Sequence, residues 1–189
     1  MNMMRFTTMK TKLRKYPSIF LILLLAISSC FLTGCVNQHP KDSKKSSQGE
    51  SVETMLEITD PKEKQAVLNA KAKVKALSGN PRIVATSPAV ADICDKLDLD
   101  LVGVPKSSVS KIPSRYKKVK KVGLAMSPDM EIVSSLNPDW ILAPSSLETD
   151  LKPKFEELKN TEYAFLNLRS VQGMYRSVQE LGEIFGKQQ

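Results

Sequence analysis

The fold is decided by residues 82–104, whose sequence is RIVATSPAVADICDKLDLDLVGV. The β-branched and apolar residues at its two ends favour short buried strands. Ser87 suits the N-cap of a helix and Pro88 its first helical position. The predicted elements are a strand over 83–86, a helix over 88–97 and a strand over 101–104. Two strands joined by a helix form a parallel unit with a right-handed crossover, so this stretch predicts an α/β fold.

Strands and helices continue to alternate through the rest of the chain. The predicted elements are an extended segment near 119–122, a helix opened by Ser127, Pro128 and Asp129, a turn at 137–139, a strand over 140–143, a helix over 152–158, a strand over 162–166 and a helix from Val171 onward. Such alternation produces one parallel sheet with helices on both faces. The sequence therefore predicts a three-layer α/β sandwich with a short parallel sheet.

The first 34 residues have the order of a secretory signal. Five basic residues and no acidic one are followed by an apolar segment over 19–27 and then by Leu32-Thr33-Gly34-Cys35. The apolar segment is shorter than the roughly 20 residues of a membrane-spanning helix. The arrangement resembles a bacterial lipoprotein signal, which is cut before a cysteine that is then acylated. The resemblance implies that residues 1–34 are removed and that Cys35 carries lipid.

The segments before the α/β unit differ in composition. Residues 35–50 are polar and nearly free of large apolar side chains, which predicts a flexible tether. Residues 51–80 are rich in Glu, Lys, Ala and Leu and predict a helical extension with an interruption at Asp60-Pro61. This extension either packs on the domain or forms an exposed arm. The folded lobe is expected over 81–170.

Charge and cysteine content exclude several classes of protein. Five of the 28 Lys and Arg residues lie in residues 1–34, which leaves 23 basic against 20 acidic residues in the rest. That balance does not indicate nucleic-acid binding. After signal removal and lipidation of Cys35, Cys94 is the one remaining thiol, so neither a disulfide nor a cysteine metal cluster is expected. Cys94 falls on an apolar helical stripe, which predicts burial.

Motifs of catalysis are missing from the sequence. His39, the one histidine, lies in the predicted tether, away from any folded site. The chain has no Gly-x-Ser-x-Gly elbow, no Walker loop and no Gly-x-Gly-x-x-Gly turn. We therefore expect a binding protein without a catalytic cofactor, with a small α/β hydrolase as the enzymatic alternative.

Polar residues follow each predicted strand, at the edge where open parallel sheets bind ligands. They are Thr86 and Ser87, then Lys106, Ser107 and Ser108, then Pro144, Ser145 and Ser146, and finally Asn167, Arg169 and Ser170. Short hydroxyls, backbone amides and two cations suit an anionic or carboxylate-bearing ligand. Ordinary loop polarity and helix capping are the alternative explanation.

Several stretches carry a family resemblance. They are PRIVAT at 81–86, LVGVP at 101–105, VG at 122–123, MEIV at 130–133 and LNPDWIL at 136–142. The chain resembles, over residues 81–189, the amino-terminal lobe of the iron-complex and vitamin B12 class of ABC-transporter substrate-binding proteins. DKLDL at 95–99, RYK at 115–117 and GLAMSP at 123–128 are similar to the haem-receptor lipoproteins of the staphylococcal and listerial iron-regulated surface determinant system.

This resemblance implies that Met126 is an axial ligand of haem iron. A thioether is a ligand that haem iron accepts. The sequence places Met126 directly before the predicted N-cap Ser127, where a hydrophobic staple would need an apolar partner at Glu131. A staple is therefore poorly supported, and filling of a packing gap is the remaining alternative. Met130 is predicted to lie in the core.

The resemblance also implies ligand contacts and partners. The residues expected to bind haem propionates are Thr86, Ser87, Lys106, Ser107, Ser108 and Arg169. We expect a lipid-anchored haem receptor on the outer face of the cytoplasmic membrane of a Gram-positive bacterium. It would deliver haem, passed on from cell-surface haem proteins, to an ABC permease and ATPase. A siderophore or cobalamin receptor and a structural surface lipoprotein are the alternatives.

Members of this class have two lobes joined by a long helix, whereas this chain resembles one lobe. Residues 171–189 are expected to begin the interlobe helix and to run to Gln189 without a stop, which indicates a truncated chain. The second axial ligand, a histidine in the family, would then be missing, and haem binding would be weak. The lysines at 117, 118, 120 and 121 predict a solvated face, with contact to anionic wall polymer or lipid as the alternative.

Overall fold

A computed structural model of the chain describes residues 4–6 and 60–187. These residues belong to one structural unit, and the second unit, residues 9–50, lies outside them. The predicted cleavage site, Cys35, the tether and residues 51–59 of the extension therefore also lie outside the described residues. Within the described ranges, no helix is long and apolar enough to span a bilayer.

The elements follow the predicted alternation. The strands are β1 Met4–Phe6, β2 Ile83–Ala85, β3 Leu101–Val104, β4 Lys120–Lys121, β5 Gly123–Leu124, β6 Ser127–Pro128, β7 Trp140–Pro144 and β8 Glu162–Leu166. The α-helices are α1 Pro61–Lys75, α2 Pro88–Lys96, α3 Met130–Ser135, α4 Glu148–Glu156 and α5 Val171–Phe185. Two 3₁₀ turns lie at Ser114–Tyr116 and Ser145–Leu147.

Six strands form the main sheet in the order β1-β8-β7-β2-β3-β4. The five strands from β8 to β4 are parallel to one another. In the centre of the sheet, Ile83 is aligned with Leu101 on one side and with Trp140 on the other. This arrangement confirms the predicted parallel α/β sheet.

Side chains along the strands alternate between two hydrophobic cores, one on each face of the sheet. On β2, Ile83 and Ala85 belong to the first core and Val84 to the second. The first core also holds buried residues of α1, α2 and α5, and the second holds those of α3 and α4. In the second core, Phe155 stacks on Phe165 with 5.8 Å between ring centroids. Helices thus cover both faces, which confirms the three-layer sandwich.

Two predicted helix starts need correction. Ser87 caps α2 as predicted, since its Oγ accepts a hydrogen bond from the Val90 amide at 3.3 Å. Ser127 does not cap α3, because Asp129 does so and its carboxylate accepts from the amides of the next helical residues. Helix α4 begins at Glu148, four residues earlier than predicted. Acidic residues in its first turn are favoured there by the helix dipole.

Helix α1 packs on α5, so the described part of the extension is not an exposed arm. Asp60 caps α1 by accepting from the Lys62 amide at 2.8 Å. Val67 and Ala70 are buried in the first core. Two ion pairs join the helices, Lys71 to Glu183 at 3.7 Å and Glu63 to Arg176 at 3.9 Å.

Helix α5 ends sooner than expected. Gly186 adopts a left-handed conformation at φ 67°, and the Lys187 amide donates to the Gly182 carbonyl at 2.7 Å. This is a glycine C-cap, which closes a helix at little steric cost. The expectation that the helix runs through Gly186 without a stop is therefore wrong. That α5 begins an interlobe helix stays a prediction.

Strand β1 was not predicted. Met4–Phe6 pairs antiparallel with β8, with Met4 opposite Leu166. The outer edge of β8 offers unpaired backbone groups, and an extended segment satisfies them. Removal of residues 1–34 stays a prediction, and it would leave β8 as the edge strand.

Candidate functional site

The carboxyl ends of the five parallel strands bring five loops to one edge of the sheet, here called the rim. In spatial order the loops are 167–170, 144–147, 86–87, 105–113 and 122–126. From the central strand β2 the chain proceeds first to β3 on one side and later to β7 on the other. Open α/β sheets bind ligands at such a reversal of strand order. Thr86 and Ser87 follow β2 at this position.

These two residues use their side chains to hold the loops. Thr86 is buried, and its amide and hydroxyl both donate to the Leu142 carbonyl, at 3.0 and 3.3 Å. The Ser87 hydroxyl caps α2. Both side chains therefore have a structural role, because they fix the centre of the rim. Their role in ligand binding stays a prediction.

The loop after β3 is tied to its neighbour. The Lys106 amide donates to the Gly123 carbonyl at 2.6 Å, and the Lys106 side chain is exposed. Ser107 accepts from the Ser110 amide at 3.0 Å, whereas Ser108 is exposed. Among the described residues, Lys106 takes part in no ion pair, so its ammonium group is available to an anionic ligand.

Met126 lies at the tip of a small hairpin. Strands β5 and β6 pair Gly123 with Pro128 and Leu124 with Ser127, which leaves Ala125 and Met126 as the turn. The expected position before a helix cap is therefore wrong. The Met126 side chain is 73% exposed, so it fills no gap in the core and its thioether is open to a ligand. Met130 packs against the second core, as predicted.

The hairpin is held in place by its base. Gly123 has φ +95°, and a Cβ at this position would lie 2.9 Å from the Asp129 amide nitrogen. Only glycine adopts this conformation without strain. The Asp129 amide donates to the Val122 carbonyl at 2.7 Å, and the Val122 amide donates to Val104 at 2.9 Å. Met126 is thus presented by a fixed support.

Arg169 lies at the far end of the rim. It follows β8, its side chain is exposed, and its amide donates to the Asn167 side chain at 3.2 Å. Strands β8 and β4 are four strand spacings apart, or about 19 Å. The loop of Lys106 follows β3, a single spacing from β4. The structure therefore brings Lys106 close to the Met126 hairpin and keeps Arg169 away from it.

The large apolar side chains exposed at the rim are not among the predicted site residues. They belong to the loop after β3, the hairpin and the first turns of α5, and are Val109, Leu124, Val171, Met174 and Tyr175. Val109 is 96% exposed. It lies between two serines, and a single apolar residue within a polar stretch was the one feature of the sequence that indicated exposure. Contiguous exposed apolar groups rimmed by polar ones mark binding surfaces, whereas singly scattered ones are normal. Those at the rim suit a ligand with apolar faces and a charged edge.

Two cavities lie at the opposite, amino-terminal edge of the sheet. One of about 510 Å³ is lined by residues that include Asn137, Asp139 and Thr161, and a smaller one of about 110 Å³ by residues that include Asp98 and Phe185. In the larger, Asp139 accepts from the Arg82 amide at 2.7 Å and Thr161 donates to the Pro138 carbonyl at 2.9 Å. These polar groups hold turns, and we place the candidate site at the rim.

Comparison with known proteins agrees with this architecture. Residues 83–189 match the periplasmic binding protein family, and the chain belongs to that family. It is a family of binding proteins, not of enzymes. The resemblance predicted from the motifs is thereby confirmed.

The similar proteins can be named individually. The chain is 37% identical over 110 residues to the high-affinity heme uptake system protein IsdE of Staphylococcus aureus strain Newman, covering 58% of this chain and 37% of that protein. An ABC transporter substrate-binding protein from Listeria monocytogenes EGD-e is 45% identical, with a TM-score of 0.55. The crystal structure of S. aureus IsdE complexed with heme is 37% identical, with a TM-score of 0.54. Each of these two matches covers 58% of this chain and 42% of the other. The chain thus spans about two fifths of the length of its relatives.

Proposed function

We propose that this chain is the haem-binding amino-terminal lobe of the receptor of an ABC importer. The observation that carries the proposal is the exposed Met126 thioether on a fixed hairpin at the rim. The similarity to a heme uptake protein and to its complex with heme supports haem as the transported ligand.

The surroundings of Met126 match the chemistry of haem. Haem has apolar faces and two carboxylates at one edge, and its iron accepts a thioether. Leu124 and Val109 supply exposed apolar surface in the hairpin and the adjacent loop. Lys106 supplies a cation, and Ser107 and Ser108 supply hydroxyls for the propionates. Arg169, at the other end of the rim, would meet the ligand only if the ligand extended across the whole sheet.

The rest of the proposal concerns the complete receptor. A second lobe would supply the other axial ligand and cover the rim, and a permease and an ATPase would receive the haem. Lipid on Cys35 would hold the receptor at the outer face of the cytoplasmic membrane. One thioether and one wall of a cleft make binding by this chain alone weak, since each 1.4 kcal/mol lost is a factor of about ten in affinity.

Haemin titration of the purified chain tests the proposal. Met126→Leu keeps the apolar volume and removes the sulfur atom. We expect it to weaken binding by about tenfold or more and to shift the Soret band of the complex. Met130→Leu is the matched control, because it removes a thioether from the core at nearly constant volume.

The possible results separate the candidates. An unchanged spectrum and affinity in Met126→Leu would refute axial ligation. Saturable binding of a ferric siderophore or cobalamin, with no binding of haemin, would identify another ligand of the same class. Inertness to all three would favour a structural surface lipoprotein, and ester turnover would favour an enzyme.

A further inference from the structure

The basic residues of the described domain are unevenly distributed. Residues 60–187 contain 20 Lys and Arg against 16 Asp and Glu. Seven of the basic residues, and none of the acidic ones, fall within residues 105–125. Without that segment the domain has 13 basic and 16 acidic residues. The whole positive excess therefore lies in one segment, which leads from the end of β3 through β4 to the hairpin.

The segment is anchored with its lysines outward. Tyr116 is buried, and its hydroxyl donates to the Leu99 carbonyl at 2.6 Å. Val119 packs against the first core. Between and around these anchors the lysines at 111, 117, 118 and 120 are exposed, and Lys121 is half-buried. We call these five the lysine edge.

Three acidic residues near the segment are paired with its arginine. The guanidinium of Arg115, from the same segment, forms hydrogen-bonded ion pairs with Asp98 at 2.6 Å and with Asp100 at 2.9 Å. It also lies 3.8 Å from the Asp95 carboxylate. Lys187 lies 3.6 Å from Asp98. In the described part of the chain, no lysine of the edge is in an ion pair. Their charges are not neutralised locally.

The lysine edge lies on and beside β4, the outermost parallel strand of the sheet. Among the described strands, β4 pairs only with β3, and its other side is the edge of the sheet. Charged side chains on an edge strand, lysine especially, counter edge-to-edge aggregation, and Lys120 and Lys121 lie on β4 itself. The other three lysines lie outside that strand, and the five together generate a positive field on one side of an otherwise slightly acidic domain.

We propose that the lysine edge is a docking surface for anionic phospholipid headgroups. A lysine near an anionic bilayer is attracted by about 1 kcal/mol, a factor of about five in population. Several together orient a domain on the membrane. The proposal does not depend on which ligand the rim binds.

Lysine footprinting on vesicles tests it. The full 189-residue chain is reconstituted on vesicles of phosphatidylcholine alone, or with about one third phosphatidylglycerol, and labelled with an amine-reactive reagent. We expect labelling of the lysine edge to be slower on the anionic vesicles by at least about fivefold, the factor for one lysine. The difference should vanish at about 1 M salt, where the Debye length is about 3 Å. Lys152, Lys154 and Lys159, at helix α4 and just beyond it among acidic residues, are the internal control.

A pair of variants sharpens the comparison. Lys117→Gln/Lys118→Gln/Lys120→Gln should reduce the protection of Lys111 and Lys121, since each lysine removed takes away a factor of about five in population. The charge-matched variant Lys152→Gln/Lys154→Gln/Lys159→Gln should leave it unchanged. Equal labelling on both vesicles, or equal protection of the α4 lysines, would overturn the proposal. Protection by polyglutamate but not by anionic vesicles would also overturn it, because the partner would then be an acidic protein.

Discussion

Stability should fall as pH rises because of one buried carboxyl group. Glu180 is 1% exposed on α5, where it faces Glu63 of α1 and its own helix neighbour Arg176. Burial is the main cause that raises the pKa of Glu180 from 4.5 to about 8. The Glu63 carboxyl group raises this pKa further, and the Arg176 guanidinium opposes the rise.

The direction and the size of this change in stability with pH follow from proton linkage. Between pH 4.5 and about 8 the unfolded chain releases the Glu180 proton while the folded chain retains it. Stability from this group is therefore complete below pH 4.5 and is lost as pH rises to about 8. One pKa unit corresponds to about 1.4 kcal/mol, so the loss is at most about 5 kcal/mol. Glu180→Gln keeps the shape and cannot ionise, so we expect it to remove this loss.

Urea unfolding at a series of pH values measures the effect. Trp140, the one tryptophan of the chain, is buried and contacts Phe185 of α5 edge-to-face at 5.7 Å, so its fluorescence reports on this region. Glu183→Gln is the matched control, three residues further along α5 in a partly exposed ion pair with Lys71. Its free energy of unfolding should follow the wild-type pH profile. If Glu180→Gln has the same pH slope as the wild type, the linkage argument is wrong.

Two further predictions concern the hairpin and the anchor. Gly123→Ala should cost about 1 to 3 kcal/mol and weaken haem binding, since its Cβ would meet the Asp129 amide at 2.9 Å. Gly79→Ala, with open space around it, should change neither haem affinity nor urea unfolding in the same assays. Mass spectrometry of the membrane fraction should find a diacyl or triacyl group on Cys35, and Cys35→Ser should abolish it. Wild-type protein in the medium, unmodified and starting elsewhere, would contradict the anchor.

Local sequence accounts for most of the elements. Helix α2 could be predicted because Ser87 and Pro88 act within their own turn. The strand Glu162–Leu166 was predicted with its observed bounds, because its apolar run is bounded by polar turns on both sides. The parallel order follows from alternation alone, since strands separated by helices return in the same direction.

The candidate site was predicted in part. Met126 and Lys106 could be selected from residue type, resemblance and position after a strand, and the structure places them on adjacent loops. Arg169 was selected by the same rule but lies about four strand spacings from the hairpin end. Strand order decides such distances, and it depends on contacts between segments far apart in sequence. The exposed apolar residues of the rim were missed because an apolar side chain alone does not show whether it faces a core.

The sequence by itself determined the α/β alternation, the family and the residue types offered at the rim, because caps, turns and side-chain spacing act over a few residues. Tertiary structure alone decided the hairpin at 123–128, whose two-residue strands have no periodicity and depend on Val122 docking beside Val104. It also decided that α1 packs on α5 and that Glu180 becomes buried there. Burial is a property of the assembled layers, so the Glu180 carboxyl group acquires its raised pKa only when the helices are packed together.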